Sequence, residues 1–366
     1  MSAMSREKTY NFAPGPSVLP DSVLERARDE MLDYAGSGMS VMEMSHRSEL
    51  FQSIADGAEE KLRSLLCVPD THAILFLQGG ATLQFASIPM NLMDGGVADY
   101  AVTGHFSGKA AKEAAKYGTV HIAADTTSTG HDRIPAQSEL QLTPGAKYFY
   151  YCANNTVFGT EWQYTPAADA PLAADMSSDI LTRPVDFSKY ALVYAGAQKN
   201  MAPAGLTVVM VDKALAGREN VCTPQVMGYE TLIQNGSMLN TPPCWCIYML
   251  SLVLDWVKEN GGIAGMEELK KERSALIYDV LDNSSFYKPH VPWENRGSRS
   301  YMNVTFRTPS KELDARFVAE STERGLLNLK GHKLTGGLRA SLYNAMTVEG
   351  AKALAEFMKE FETKNG

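Results

Sequence analysis

Lys199 stands in the segment ALVYAGAQKNMAPAGLTVVMV, with strand-like apolar runs on both sides and small residues, among them Ala195, Gly196, Ala197, Ala202, Ala204 and Gly205, crowded about it. A lysine so placed is expected to lose part of its hydration. That disfavours the ammonium and leaves the free amine, the form that attacks a carbonyl and joins it as a Schiff base. Taken alone, the segment also suits a lysine that reaches past a strand end to solvent. Asp175 closes the apolar run from Ala170 to Ala174, so it puts a carboxylate at a strand's carboxyl tip, where open α/β sheets gather their ligands. An Asp there can equally cap a helix. A third feature is the turn Gln78-Gly79-Gly80-Ala81-Thr82, between the run HAILFL and the helix-like LQFASIPMNLM. Glycines leading into a helix N-terminus present free N–H groups and a positive dipole end, which suits a phosphate monoester, although a plain tight turn has the same residues. The turn is neither a P-loop nor a G-x-G-x-x-G, so a nucleotide is not indicated.

These residues sit on a repeating frame. From about Thr71 to Asp212 seven apolar runs, HAILFL, VADYAVTG, VHIAAD, YFYYCAN, PLAADMSS, ALVYAGA and LTVVMVD, alternate with polar clusters and helical or loop segments. Their apolar character is mostly continuous, as in strands buried on both faces of a mainly parallel sheet, and the fold class is α/β. After Thr241-Pro242-Pro243 a helix is expected to about Asn260, stopped by Gly261 and Gly262, and a second from about Met266 to Leu281. Beyond it SRSYMNVTFRT and GLRASLYN read as strands, and Lys311 to Arg324 and Val348 to Phe361 as helices, the last with Ala351, Leu354, Met358 and Phe361 on one stripe. The expected division is a large domain over 16–264 and a small α+β domain made of 1–15 and 265–366. On this frame the order is strand-Asp175, strand, then Gly-Ala-Gln-Lys199. An amine for an aldehyde and a carboxylate for a pyridine nitrogen are what pyridoxal 5′-phosphate requires.

Composition sets the outer bounds. At 366 residues, 45% hydrophobic and 21% charged, the chain has room for about two domains of roughly 150 residues each. A formal net charge of -8 gives no electrostatic reason to expect nucleic acid. The stretch CWCIYMLSLVLDWV from Cys244 is broken by Asp255 and falls short of the ~20 residues that span a bilayer, so no membrane partner is expected. The opening MSAMSREKTYNFAPGPSVLP lacks the ~7 to 15 residue apolar run of a signal peptide, and a cytoplasmic location is expected. Five scattered cysteines suit a reducing compartment. Cys244 and Cys246 are too close for a usual zinc half-site, and no metal is expected.

Four further segments, SVMEMSHR (Ser40 to Arg47), GAQKNMAPAGLT (Gly196 to Thr207), NGSMLNTPP (Asn235 to Pro243) and GGLRASLYNAM (Gly336 to Met346), complete a pattern that runs from NFAPGP to the last helix. The chain resembles the phosphoserine aminotransferase family, class V of the fold-type I pyridoxal-phosphate enzymes. The resemblance implies the fold-type I architecture, a large domain with a seven-stranded mainly parallel sheet plus the small domain. It implies reversible amino transfer between glutamate and 3-phosphohydroxypyruvate, giving O-phospho-L-serine and 2-oxoglutarate in serine biosynthesis. Use of 4-phosphohydroxy-L-threonine, in pyridoxine biosynthesis, stays open. Lys199 becomes the Schiff-base lysine and Asp175 the pyridinium partner. Ala81, Thr82 and Gln198 match contacts to the cofactor phosphate, Thr156 one near the ring's polar edge, and Asn240 with Thr241 contacts given by the second subunit of a homodimer. His46, Arg47, His332 and Arg339 match residues that hold substrate anions, Arg339 taking the α-carboxylate. Their forked or charged donors suit a carboxylate and a phosphate dianion.

Three positions depart from the commonest pattern of the family. Phe106 stands where a tryptophan usually stacks on the cofactor ring, Thr82 where some members carry an arginine, and Lys333 follows His332 where an arginine is frequent. Stacking survives the first change, but the indole N–H does not. Two other functions keep a place beside this one. An aminotransferase of serine:glyoxylate type would share Lys199 and Asp175 without needing the His46, Arg47 and His332 cluster, and a non-catalytic pyridoxal-phosphate-binding protein need not keep Arg339. Thr241, for its part, suits a helix-start cap as well as a phosphate contact.

Overall fold

A computed structural model gives the fold and describes residues 5–366; residues 1–4, part of the expected small domain, lie outside the described residues. In chain order the strands are β1 Tyr10–Asn11, β2 His72–Leu77, β3 Val97–Val102, β4 Thr119–Asp125, β5 Phe149–Cys152, β6 Asn154–Asn155, β7 Thr160–Glu161, β8 Leu172–Asp175, β9 Tyr190–Gly196, β10 Thr207–Asp212, β11 Lys288–Pro289, β12 Asn303–Arg307, β13 Leu326–Leu327 and β14 Leu338–Ser341. The α-helices are α1 Asp21–Asp29, α2 Glu49–Leu66, α3 Gly80–Leu92, α4 His105–Ala114, α5 Tyr229–Gln234, α6 Cys244–Glu259, α7 Gly262–Asp282, α8 Lys311–Glu323 and α9 Val348–Asn365.

All seven apolar runs are strands of one seven-stranded sheet, in the order β2-β10-β9-β8-β5-β3-β4. The pairs β3·β4, β3·β5, β5·β8 and β8·β9 are parallel, and β10 is antiparallel to both its neighbours. Side chains alternate across a strand, so one run feeds two cores. Ile74, Phe76, Tyr151, Ala174 and Val193 face the layer of α2 and α6, while Leu75, Tyr150, Ala173, Leu192 and Tyr194 face α3, α4 and α5. Helices on both faces are why all but the edge strand β4 are buried and apolar nearly throughout.

A third core joins Phe12 to Ile277, Phe306, Phe317, Leu338 and Phe361, beneath the antiparallel sheet β11-β12-β14. β1 pairs in parallel with β13, Tyr10 beside Leu326, which ties the N-terminal segment to this C-terminal part. α7 begins at Gly262, four residues before the expected Met266, because Gly261 adopts φ 87° as its N-cap and Gly262 already lies inside the helix. It bridges the cores: Met266 belongs to the first and Ile277 to the third. Among the described residues no helix is long and apolar enough to cross a membrane, and no group of three His, Cys, Asp or Glu side chains could hold a metal ion.

Candidate active site

The carboxyl tips of β5, β8 and β9 open onto a cavity of about 260 Å3. Asp175 ends β8, is paired with Cys152 at the tip of β5, and faces Tyr194 on β9. It is buried; its Oδ1 accepts the Ser177 N–H at 2.9 Å and its Oδ2 the Tyr194 hydroxyl at 3.1 Å. Burial, with Asp175 adding to it, pushes the Tyr194 phenol well up, so the hydroxyl stays a donor to the carboxylate. The same two causes keep the neighbouring Cys152 thiol protonated against the weaker opposing pull of Lys199.

Lys199 lies in the turn after β9, three residues beyond its last residue Gly196. Its Nζ donates to Thr156 Oγ1 at 2.9 Å and stands 5.8 Å from the centre of the Phe106 ring. Gly15 approaches so closely that a Cβ there would meet Lys199 Cγ at 3.2 Å, in a backbone conformation (φ +127°) that favours glycine. Thr156 is a junction, because its carbonyl accepts from Arg339 Nη1 at 3.1 Å while its hydroxyl takes the lysine.

Arg339, on β14, is buried, and its Nε has no partner. Burial lowers its proton affinity, with only Tyr343 opposing. A buried, under-satisfied guanidinium aimed into a cavity is a receptor for an anion. Opposite it, β2 turns through Gly79 (φ 87°) and Gly80 (φ 68°) into α3, whose first N–H groups, at Ala81 and Thr82, border the cavity. A Cβ on Gly79 would meet Leu83 Cδ2 at 2.4 Å, so the turn requires glycine.

Of the residues singled out above, the cavity therefore brings together Ala81, Thr82, Phe106, Thr156, Asp175, Gln198, Lys199, His332 and Arg339. Lys333 lies at the rim, on an adjoining groove that shares His332. His46, Arg47, Asn240 and Thr241 do not line it. His46 is buried with Nε2 unpartnered, and Arg47 is exposed. Asn240 and Thr241 lie outside the glycine turn, where Asn240 Nδ2 donates to Gln78 Oε1 at 3.1 Å and Gln78 Nε2 donates to the Thr241 carbonyl at 3.0 Å. Thr241 does not cap α6, whose N-cap is Pro243 with no side-chain bond. Ser177 and Ser178 also line the cavity and were not foreseen. Their position two and three residues after Asp175 was the available signal.

The donor set fits pyridoxal phosphate. An amine, one buried carboxylate across the cavity floor, an aromatic face and an open helix N-terminus match its aldehyde, ring nitrogen, ring and phosphate.

The profile of the aminotransferase class-V family matches residues 9–354. The phosphoserine aminotransferase of Herpetosiphon aurantiacus is 48% identical over 362 residues, covering 98% of this chain and 99% of its own. Among solved structures, the phosphoserine aminotransferase from Bacillus circulans subsp. alkalophilus has a TM-score of 0.95 at 44% identity, over 98% of this chain and 100% of its own. The pyridoxal-phosphate-bound phosphoserine aminotransferase from Trichomonas vaginalis has a TM-score of 0.92 at 39% identity, over 96% and 99%.

Proposed function

This chain belongs to the class-V aminotransferases, and on that premise we propose that it moves an amino group between glutamate and 3-phosphohydroxypyruvate, yielding O-phospho-L-serine and 2-oxoglutarate in serine biosynthesis. Its cofactor is pyridoxal 5′-phosphate. When bound, that group supplies a carbonyl that condenses with amines and a ring that absorbs the electrons left at the substrate's α carbon. The observation that carries the proposal is the meeting of Lys199, Asp175 and the unpaired Arg339 in one cavity at the strand tips.

Each residue has a task that follows from its surroundings. Asp175, fixed by Ser177 and Tyr194, would present its carboxylate to the cofactor's ring nitrogen. Lys199 Nζ is the base that takes the proton from the substrate's α carbon and would deliver it to the cofactor carbon that carried the aldehyde, and Thr156 Oγ1 orients it. Phe106, whose ring centre stands 5.8 Å from Lys199 Nζ, would cover one face of the cofactor ring. Ala81, Thr82 and Gln198 receive the cofactor phosphate. Arg339 takes the α-carboxylate in its fork, held in place by the Thr156 carbonyl.

The working form we propose is a homodimer. Asn240 and Thr241 are exposed beside this chain's own glycine turn, so a second subunit packed there would receive them at its cofactor phosphate, with His46 and Arg47 adding donors for the substrate's distal anion. The organisation we propose is a large unit over 16–264 and a small one of 1–15 with 265–366, the third core lying in the small unit and α7 running unbroken through the boundary. The cytoplasm, where glutamate and reduced thiols abound, suits such an enzyme and its five free cysteines.

Absorbance in the visible band of the cofactor tests the function. Adding glutamate or O-phospho-L-serine should convert the band in a half-reaction, and L-alanine should do so far more slowly. Equal reactivity of alanine and O-phosphoserine would defeat the substrate proposed.

A further inference from the structure

Beside His332, which lines the cavity, stands a second imidazole that was not foreseen from sequence. His105 is the first residue of α4, beside Phe106, and its ring centre lies 5.8 Å from that of His332 with the planes inclined at 44°. Burial lowers the proton affinity of the His105 imidazole, and Lys109 and Lys333 lower it further. His332 is lowered in the same sense, first by burial and then by Arg339, His105, Lys333 and Lys109. The charged neighbours acting on the two imidazoles, from α4, from the loop before β14 and from β14 itself, are all cations. The Leu334 N–H donates to His332 Nδ1 at 3.2 Å, which leaves the proton on Nε2 as a free donor. A buried guanidinium without a partner on its Nε, beside a histidine whose other charged neighbours are cations, invites an anion.

Resting on the substrate proposed above, we propose that His105 is a specificity-determining residue, a further donor to the substrate's distal anion beside His332 and Lys333, by which the cavity distinguishes a phosphate monoester from a carboxylate. In glutamate and in O-phosphoserine the acidic centre stands three bonds from the α carbon, so both anions reach the same place. A carboxylate offers two oxygens, whereas a phosphate offers three and a charge of about −1.5 to −2. With Arg339 committed to the α-carboxylate, His332 and Lys333 serve two oxygens on this side. His105, adjacent to His332 and on a different element, serves the third. Its low proton affinity keeps the free rim from accumulating another charge. An arriving dianion reverses that, and the imidazole takes up a proton from solvent as the phosphate binds.

The test is half-reaction kinetics of the cofactor-loaded enzyme with each substrate. His105→Ala should raise KM for O-phospho-L-serine roughly ten-fold or more, the loss of one charged hydrogen bond, and KM for glutamate by less than about three-fold. His105→Gln, which keeps a donor without the charge, should fall between wild type and His105→Ala. The wild-type KM for O-phosphoserine should decrease as the pH falls from 8, because the complex holds a proton that the free imidazole, with its lowered proton affinity, does not, and both variants should flatten that slope. Equal changes for the two substrates, or no change, would overturn the role given to His105. A measurement on unaltered protein guards against a variant that misfolds: on adding O-phosphoserine, the NMR titration midpoint of the His105 ring should rise, and an unmoved midpoint would also overturn the role. Wild-type enzyme that reacts with glutamate but not with O-phosphoserine would instead overturn the substrate itself, before His105 is touched.

Discussion

Replacing Arg339 by alanine should separate function from stability. The guanidinium is buried, donates one hydrogen bond of 3.1 Å to the Thr156 carbonyl, and has no partner for Nε. In the free protein it is therefore a charge held out of water with little in return. A substrate α-carboxylate would accept two charged hydrogen bonds from its fork, each contributing about 1.5 to 3 kcal/mol. Losing both corresponds to roughly 10² to 10⁴ in kcat/KM. Because every amino acid carries the α-carboxylate, the loss should be the same, within about three-fold, for glutamate and for O-phosphoserine. Stability should move the other way or not at all, since the variant relieves a desolvated, unpaired cation while giving up one hydrogen bond worth about 1 kcal/mol. Stopped-flow absorbance of both half-reactions gives the first quantity, and thermal unfolding at saturating cofactor gives the second. Arg339→Lys, a point charge without the fork, should recover only part of the activity. The reasoning fails if the loss is confined to one substrate, or if the alanine variant is destabilised by several kcal/mol while its kcat/KM hardly changes.

Other perturbations address the remaining parts of the site. Lys199→Ala should still fold and retain cofactor but lose turnover by at least roughly 10² to 10⁴, the contribution of a positioned base; turnover near the wild-type rate would remove Lys199 from that role. Asp175→Asn keeps acceptors for Ser177 and, with the hydroxyl rotated, a partner for Tyr194, so unfolding temperature should hold while kcat falls by roughly a hundred-fold or more; an unchanged kcat at saturating cofactor would exclude the carboxylate. Mixing inactive Lys199→Ala subunits with inactive Asn240→Ala, Thr241→Ala subunits should restore activity if sites are shared, since one site of each hybrid then has every wild-type residue. Verified hybrids without activity would refute the shared site.

How much could be seen in the sequence depended on how local each feature is. Six of the seven strands were legible because they are buried on both faces, so their apolar character owes nothing to their partners, while the edge strand β4 is largely exposed. Helix α2 was passed over although its signals were present: Ser48 caps it by accepting the Phe51 N–H, and Phe51, Ile54, Ala55, Ala58, Leu62 and Leu66 form its buried stripe. That stripe is diluted by Gly57, Glu59, Glu60, Lys61 and Arg63 on a half-exposed helix, and a scan for continuous apolar runs misses it. The two-residue strands β1 and β13 carry too short a pattern to register, and only their pairing across more than three hundred positions defines them.

The site divides along the same line. Asp175 and Lys199 are 24 positions apart, yet they lie at the tips of adjacent parallel strands, so strand order alone brings them together. The glycine turn reaches the same edge because β2, at the sheet's far end, delivers α3 back over it. These groups are legible because each closes an element whose direction the sequence already dictates. Arg339 arrives on β14, whose Leu338 and Ala340 belong to the third core, and His332 on the loop before it; the Arg339 bond to the Thr156 carbonyl is a contact across 183 positions. His105 has a weaker local signal still: a histidine opening a helix is an ordinary surface residue until the loop before β14 sets His332 against it. The chemistry of the amine and the ring thus belongs to the edge of one sheet. On the roles proposed above, recognition of the substrate's anions would draw on β14 and the loop before it as well as on the sheet edge, so anion selectivity could change through residues such as His105 and Lys333 while Lys199 and Asp175 stay fixed.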